Sequence, residues 1–456
     1  MTEGRFRELL ARGLDGIARW ESSFRPFEQH PSLDVWENAA KAIDHLVERL
    51  ADNYPFFHPD YAGQMLRPPH AVALAAYAVA ARINPNNHAL DGGPATAQME
   101  RECVDQLAAM FGLPAPYLGH LTTSGTVANL EALWVARHVH PGKAIVISSE
   151  AHYTHARMCE LLGLNVIVLP ADACGQMDLS ALESLHASDA VGTVVVTAGT
   201  TAAGAVDPID AVVALASERG WRVHVDAAYG GFFATIARNP DAQLDPGTWL
   251  SINRAHSIVV DPHKHGLQPY GCGAVLFADP SVGAYYRHDS PYTYFTSKQL
   301  HLGEISLECS RPGAAAAALW ATLQCFPLTE RGLGLSLLAS RRAALAAYDI
   351  ARFSGTLVPV IKPELDIFTV APLAPDEVAV VSDVSARSDT IFEQCMRDPK
   401  HPLFLAKWRL PECLGRLALP QLRWDEPHCT VLRSVMMKPE HEANARAIAE
   451  RIAAWV

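Results

Sequence analysis

The chain has 456 residues, 49% apolar and 19% charged, a composition that excludes a disordered protein and suits two or three packed domains. A formal net charge of −12, with no dense Lys/Arg run, argues against a surface for nucleic acid or an anionic membrane. Nine cysteines without a CxxC pair, a charged N-terminus without an apolar core, and no apolar run of spanning length predict a soluble, cytoplasmic protein kept reduced, with no bound metal.

Residues 1–60 read as helices, with apolar spacing through Leu9, Leu14, Ile17 and Trp20, then Ile43, Leu46 and Leu50. Pro26 and Pro31 interrupt that pattern, and the apolar stripes left over call for something to dock on. From 61 to 330, short apolar strands (144–148, 165–169, 193–197, 222–225, 257–260 and 274–277) alternate with helix-length segments. That alternation predicts an α/β domain with a mostly parallel sheet, whose ligands gather at the carboxyl ends of the strands. Residues 331–456 start Ala- and Leu-rich, carry strand-like segments at 367–370, 378–381 and 431–435, and end in a helix over 440–456. They predict a smaller α+β domain.

Four stretches carry residue types with chemical potential. Thr123-Ser124-Gly125-Thr126 opens a helical segment, offering free N–H groups and hydroxyls to an anion; an ordinary Ser/Thr cap is the plainer use. Ser148-Ser149-Glu150-Ala151-His152 ends a strand with an imidazole able to stack on a ring or exchange protons, or simply to pack. His224-Val225-Asp226-Ala227-Ala228 delivers a carboxylate at a buried strand end, where it needs a cation, and follows it with small residues that admit something flat. Asp261-Pro262-His263-Lys264 presents one amine just beyond a buried strand. A phosphate cradle, a stacking group, an anion for a ring nitrogen and a Schiff-base amine together match the needs of pyridoxal phosphate (PLP).

In order along the chain, these motifs resemble the group II PLP-dependent decarboxylases, the glutamate, tyrosine and aromatic-L-amino-acid decarboxylases. Residues 224–228 match the family's H-V-D-A-A and 262–264 its P-H-K. Residues 122–129 match its T-S-G-G-T-x-A-N, with Thr123 and Ser124 in place of the usual Ser and Gly. Residues 53–59 look like a rearranged H-P-x-F-F entry segment, and 197–201 and 310–312 match as well. The resemblance runs roughly from residue 53 to residue 438.

It implies fold type I of the PLP-dependent transferases, as in aspartate aminotransferase. That is an α/β large domain on a mostly parallel seven-stranded sheet, a small α+β C-terminal domain, and a homodimer with interface active sites in which the N-terminal helices pack. It implies pyridoxal 5'-phosphate as cofactor, with Lys264 as the Schiff-base lysine and His263 near the phosphate. Asp226 would face the pyridinium nitrogen, His152 would stack on the ring, and Gly125 and Thr126 would bind phosphate. Ala228 belongs to the same cofactor site; Thr200 would lie beside the ring, with Thr201 as alternate. The implied reaction converts an L-amino acid to its amine and CO2, with a loop tyrosine, Tyr292 or Tyr294, returning the proton. An acidic substrate would want Arg67, Arg287 or Arg311, and an aromatic one Phe56, Phe57 or Tyr61. A PLP-dependent carbon–carbon lyase or a decarboxylating aldehyde synthase shares the lysine, aspartate and histidine and stays open on these residues. The intact Lys264, Asp226 and His152 argue against a non-catalytic scaffold.

Overall fold

The computed structural model describes residues 3–89, 92–186, 190–287 and 306–456. Seven strands form the larger sheet: β1 (Leu118–Thr122), β2 (Ala144–Ser148), β3 (Val166–Leu169), β4 (Val191–Thr197), β5 (Arg222–Asp226), β6 (Ser257–Val260) and β7 (Gly273–Phe277). Their order is β1-β7-β6-β5-β4-β2-β3. Strands β2 to β6 pair in parallel, whereas β7 runs antiparallel to both β6 and β1. Every residue of β4, β5, β6 and β7 is buried, which is why β4, β6 and β7 read as apolar runs, whereas β5 buries the polar Arg222, His224 and Asp226 between its valines.

Helices α1 (Glu3–Glu21), α2 (Trp36–Leu50), α3 (Ala71–Ile83) and α4 (Pro94–Phe111) precede this sheet. Between and just after its strands lie α5 (Gly125–Val139), α6 (Thr154–Leu162), α7 (Leu179–Glu183), α8 (Ile209–Arg219), α9 (Pro246–Leu250) and α10 (Gly283–Tyr286). The sequence then passes through α11 (Gly313–Cys325) and α12 (Gly334–Phe353) to a four-stranded antiparallel sheet ordered β10-β11-β9-β8. Its strands are β8 (Val358–Pro359), β9 (Ile367–Ala371), β10 (Ala406–Pro411) and β11 (His428–Val435), accompanied by α13 (Val381–Arg397), α14 (Glu412–Ala418) and α15 (His441–Ala453). Val194, Val225, Ile258, Phe232 and Phe233 close the core of the large sheet. Phe368, Leu432, Ala347 and Ile448 close that of the small one.

Three segments differ from the sequence expectation. Residues 378–381 are not a strand: Val380 makes an isolated bridge to Arg423, and Val381 begins α13, where Val381 and Val384 are buried at helical spacing. Strand β1 escapes the pattern because Leu-Gly-His-Leu-Thr has no β-branched run and contains a buried histidine. Strand β10 alternates Ala406, Trp408 and Leu410 inward with Lys407 and Arg409 outward, the period-2 signature of a half-covered sheet. Helix α2 is unusual in burying no residue at all.

Candidate active site

Parallel strands β5 and β6 end side by side, so their carboxyl ends bring Asp226 and the 261–264 turn to one place. Next to them stands the N-terminus of α5. Ser124 caps that helix by accepting the Val127 N–H, which leaves the first-turn N–H groups of Gly125 and Thr126 facing a cavity. The cavity has a volume of ≈ 230 Å³, and its wall includes Gly125, Thr126, His152, Asp226, His263 and Lys264, together with Ala228. Seven residues singled out in the sequence thus meet in one space.

Asp226 is buried, and burial alone would raise its pKa; the hydrogen bond and charge of His155, with Lys264 nearby, outweigh that and hold the carboxyl below its usual range. Oδ2 lies 2.8 Å from His155 Nε2, and Oδ1 accepts the Ala228 N–H at 3.1 Å. Because a carboxylate only accepts, His155 carries its proton on Nε2, and its Nδ1 has no hydrogen-bond partner among the described residues. Behind it His224 sits between Asn129 Oδ1 (2.8 Å) and Ser257 Oγ (2.9 Å), and burial pushes its pKa down to about 3, so the ring is neutral. Replacing His155 by Ala leaves a buried carboxylate short of one donor. We expect a loss of about 2 kcal/mol in stability, read as a lower urea midpoint, with Phe no better than Ala.

Lys264 Nζ stands 3.3 Å from Asp261 Oδ2, and Asp261 Oδ1 is buried without a hydrogen-bond partner among the described residues. His263 donates from Nδ1 to the Cys272 carbonyl at 2.7 Å and lies against Tyr270, with ring centroids 4.8 Å apart. His152 accepts the Thr154 N–H at Nδ1, so its proton is on Nε2; burial, reinforced by Lys264, lowers its pKa despite Asp226. A Cβ on Gly125 would come 2.5 Å from Asp261 Oδ2, closer than real contacts allow. Gly125→Ala must therefore shift either the helix start or Asp261. Cofactor binding should weaken roughly tenfold, the ~1–3 kcal/mol of an overpacked contact, in a fluorescence titration of the apoenzyme.

Thr200 differs from its expected place. Its hydroxyl accepts the Ala205 N–H at 3.0 Å inside the turn, and Thr201 takes the cavity wall instead. Tyr292 and Tyr294 lie outside the described residues. Of the arginines, Arg311 is consumed by Glu100 (2.5 Å) and the Leu121 carbonyl, Arg67 donates to the Met437 carbonyl, and Arg287 is exposed. Among the described residues lining the cavity there is no arginine. Sequence reasoning missed His155, Asp261, Asn129 and Tyr229. The first had a visible signal, a second histidine one helical turn beyond His152. Asp261 had its place beside the lysine.

The test for a cofactor is whether these groups suit it. A lysine beyond a strand end, a buried carboxylate kept ionised, the small side chain of Ala228 on the cavity wall and N–H groups at a helix start fit pyridoxal phosphate. The fold and site define a PLP-dependent enzyme of fold type I. The structure superimposes on that of Oryza sativa TDC with PLP and tryptamine with a TM-score of 0.75, 18% identity, and coverage of 100% of this chain and 98% of that one. The profile of the pyridoxal-dependent decarboxylase conserved domain matches residues 26–330, and the chain belongs to that family. It is similar to the L-tyrosine decarboxylase of Levilactobacillus brevis, at 26% identity over 76% of this chain and 73% of the relative. It is also similar to a probable L-tyrosine/L-aspartate decarboxylase of Methanoculleus marisnigri, at 31% over 65% of this chain and 81% of the relative. The protein is a PLP-dependent amino-acid decarboxylase, forming an amine and CO2.

Proposed function

We propose that the substrate is an aromatic L-amino acid, with L-tyrosine foremost, and that Lys264 is the residue to which the cofactor is bound. The observation that carries the lysine is its amine beside Asp261 in the cavity that also holds Asp226 and His152. What supports the substrate class is the wall itself, which offers the exposed ring of Tyr153 and no described arginine for a side-chain carboxylate. The names of the two relatives include tyrosine, and one adds aspartate. CO2 release from L-tyrosine and L-aspartate, compared as kcat/KM, decides this. Tyrosine should lead by about 30-fold or more, the scale of a ~2 kcal/mol pocket preference. Faster turnover of aspartate would overturn the assignment.

When bound, pyridoxal phosphate supplies the electron sink for the pair left at Cα as CO2 departs. The chain's own groups do the rest. Gly125 and Thr126 would hold the phosphate with N–H groups at the positive end of α5, with His263 nearby. Asp226, kept anionic by His155, would face the ring nitrogen of the cofactor and favour its protonated form. Neutral His152 keeps its Nε2–H available as a donor to the substrate. Asp261 accepts a hydrogen bond from the Lys264 amine whenever it is free. The proton for Cα is assigned to Tyr292 or Tyr294.

The proposed assembly is a cytoplasmic homodimer. All nine cysteines are free, which suits a reducing compartment, and among the described residues no helix is long and apolar enough to cross a membrane. Helix α2 shows Ile43, Leu46, Val47 and Leu50 exposed, with its first residue, Trp36, at 80% exposure and Phe27, ahead of the helix, at 91%. A 15-residue helix with no buried side chain is marginal alone in water. A second copy of the chain laid against that face accounts for it. Light scattering should give twice the chain mass, and Leu46→Glu with Leu50→Glu should halve it; a wild-type monomer at micromolar concentration would sink the proposal.

A further inference from the structure

The parallel strands β5 and β6 have a second end. Beneath their amino ends, between α8 and the last turn of α5, lies a cavity of ≈ 500 Å³. Arg222, the first residue of β5, lines it, as do Arg254 and the imidazoles of His140 and His256. Trp221, Val213, Ala216 and Val223 give it an apolar wall, and no Asp or Glu is among the described lining residues.

Arg222 is only 9% exposed, and burial lowers its pKa although Asp279 and Tyr285 pull the other way. It makes no hydrogen bond or ion pair within 4 Å with a described residue. Asp279 is occupied: its carboxylate accepts the N–H and hydroxyl of Ser281. The Arg222 nitrogens are open to the cavity rather than sealed in the core, where a guanidinium without a protein acceptor is a ready donor to an anion. Arg254 places a second full positive charge on the same wall.

One of the two imidazoles adds a hydrogen-bond donor. His256 accepts the Val223 N–H at Nδ1, 3.0 Å away, so its Nε2 carries the proton and is a donor. His140 donates from Nδ1 to the Gly192 carbonyl at 2.8 Å, so the Nε2 of its neutral ring is an acceptor and adds nothing for an anion. The opposing contribution comes from the ends of α5 and α8, each about half a negative charge. Part of even that is cancelled, because the His140 and Gly220 N–H groups cap the Ala136 and Ala216 carbonyls. Two guanidinium groups outweigh it, in a chain whose net charge is −12.

We propose that this cavity is a binding site for a small organic anion, a phosphate- or carboxylate-bearing molecule whose apolar part lies along Trp221. It sits at the opposite end of the strands that present Asp226 and Lys264, so an occupant does not compete with the cofactor. The test uses the PLP-loaded enzyme, titrated calorimetrically with pyrophosphate in one arm and citrate in the other, to separate phosphate from carboxylate preference. In parallel, phenylglyoxal modification of Arg222 and Arg254 is mapped by mass spectrometry with and without the anion.

At least one anion should bind saturably with one site per chain and protect both arginines. Arg222→Gln and Arg254→Gln should each weaken it by about tenfold, the loss of one charge-assisted contact, with PLP content unchanged. Arg254 is exposed, so its variant reports even if Arg222→Gln folds poorly. Absence of saturable binding by both anions would overturn the proposal, and so would affinity and protection that Arg254→Gln leaves unaltered.

Discussion

Lys264→Ala should lose decarboxylation by about 10³-fold or more, the scale of removing a covalent catalyst from its constellation. The purified wild type should be yellow, and borohydride should fix the cofactor on Lys264; the variant should bind it only reversibly. Two roles of the lysine need separating, because its ammonium also faces Asp261 at 3.3 Å, and Asp261 Oδ1 has no hydrogen-bond partner among the described residues. Lys264→Arg keeps a cation beside that carboxylate but cannot form the covalent link. If charge were the whole role, Lys264→Arg would retain activity, and the assignment would fail. We expect Lys264→Arg to be as inactive as the alanine variant while unfolding at a higher urea concentration, since Asp261 keeps its partner.

Why Lys264 and Asp226 were legible in the sequence has a simple physical basis. Asp226 ends and Lys264 closely follows a strand that is buried on both faces, and a charge in that position needs a reason. The strand ends are fixed by local pattern, so the pair could be brought together by the parallel order alone. The partners of these charges were less accessible. Which of His152 and His155 reaches Asp226 depends on how α6 starts, with the first ring held at the cavity by the Thr154 N–H and the second turned to the carboxylate. Asp261 looked like a strand terminator because its meaning lies across the fold, against Gly125 and Lys264. Thr200 and Thr201 are equivalent as letters. The turn separates them, since the Ala205 N–H takes the Thr200 hydroxyl. In the small domain, 378–381 misled because an apolar run of that length fits a strand and a helix start equally.

Asp226→Asn isolates charge from shape. The two carboxylate oxygens receive separate donors, His155 Nε2–H and the Ala228 N–H. An amide has one oxygen, which can keep the Ala228 bond; its NH2 then meets His155. His155 can adapt, because its Nδ1 has no hydrogen-bond partner among the described residues and accepts the proton without breaking a bond, leaving Nε2 to accept from the amide. The fold should therefore tolerate the change, while the ring nitrogen loses its anion. We expect kcat to fall about 10²–10³-fold, the ~3–4 kcal/mol of a lost preorganised electrostatic contact, with cofactor still bound. The pH dependence carries a second signature. Asp226 has its folded pKa depressed below the ordinary 3.8, so the stability it contributes is present above that value and lost as pH falls through the folded one. Urea midpoints of the Asn variant should thus fall less steeply than those of the wild type below about pH 4. A kcat within tenfold of wild type would mean that the carboxylate is only a structural partner of His155 and that something else protonates the ring, and equal acid limbs in the two proteins would mean that His155 and Lys264 do not hold the carboxyl below its ordinary range.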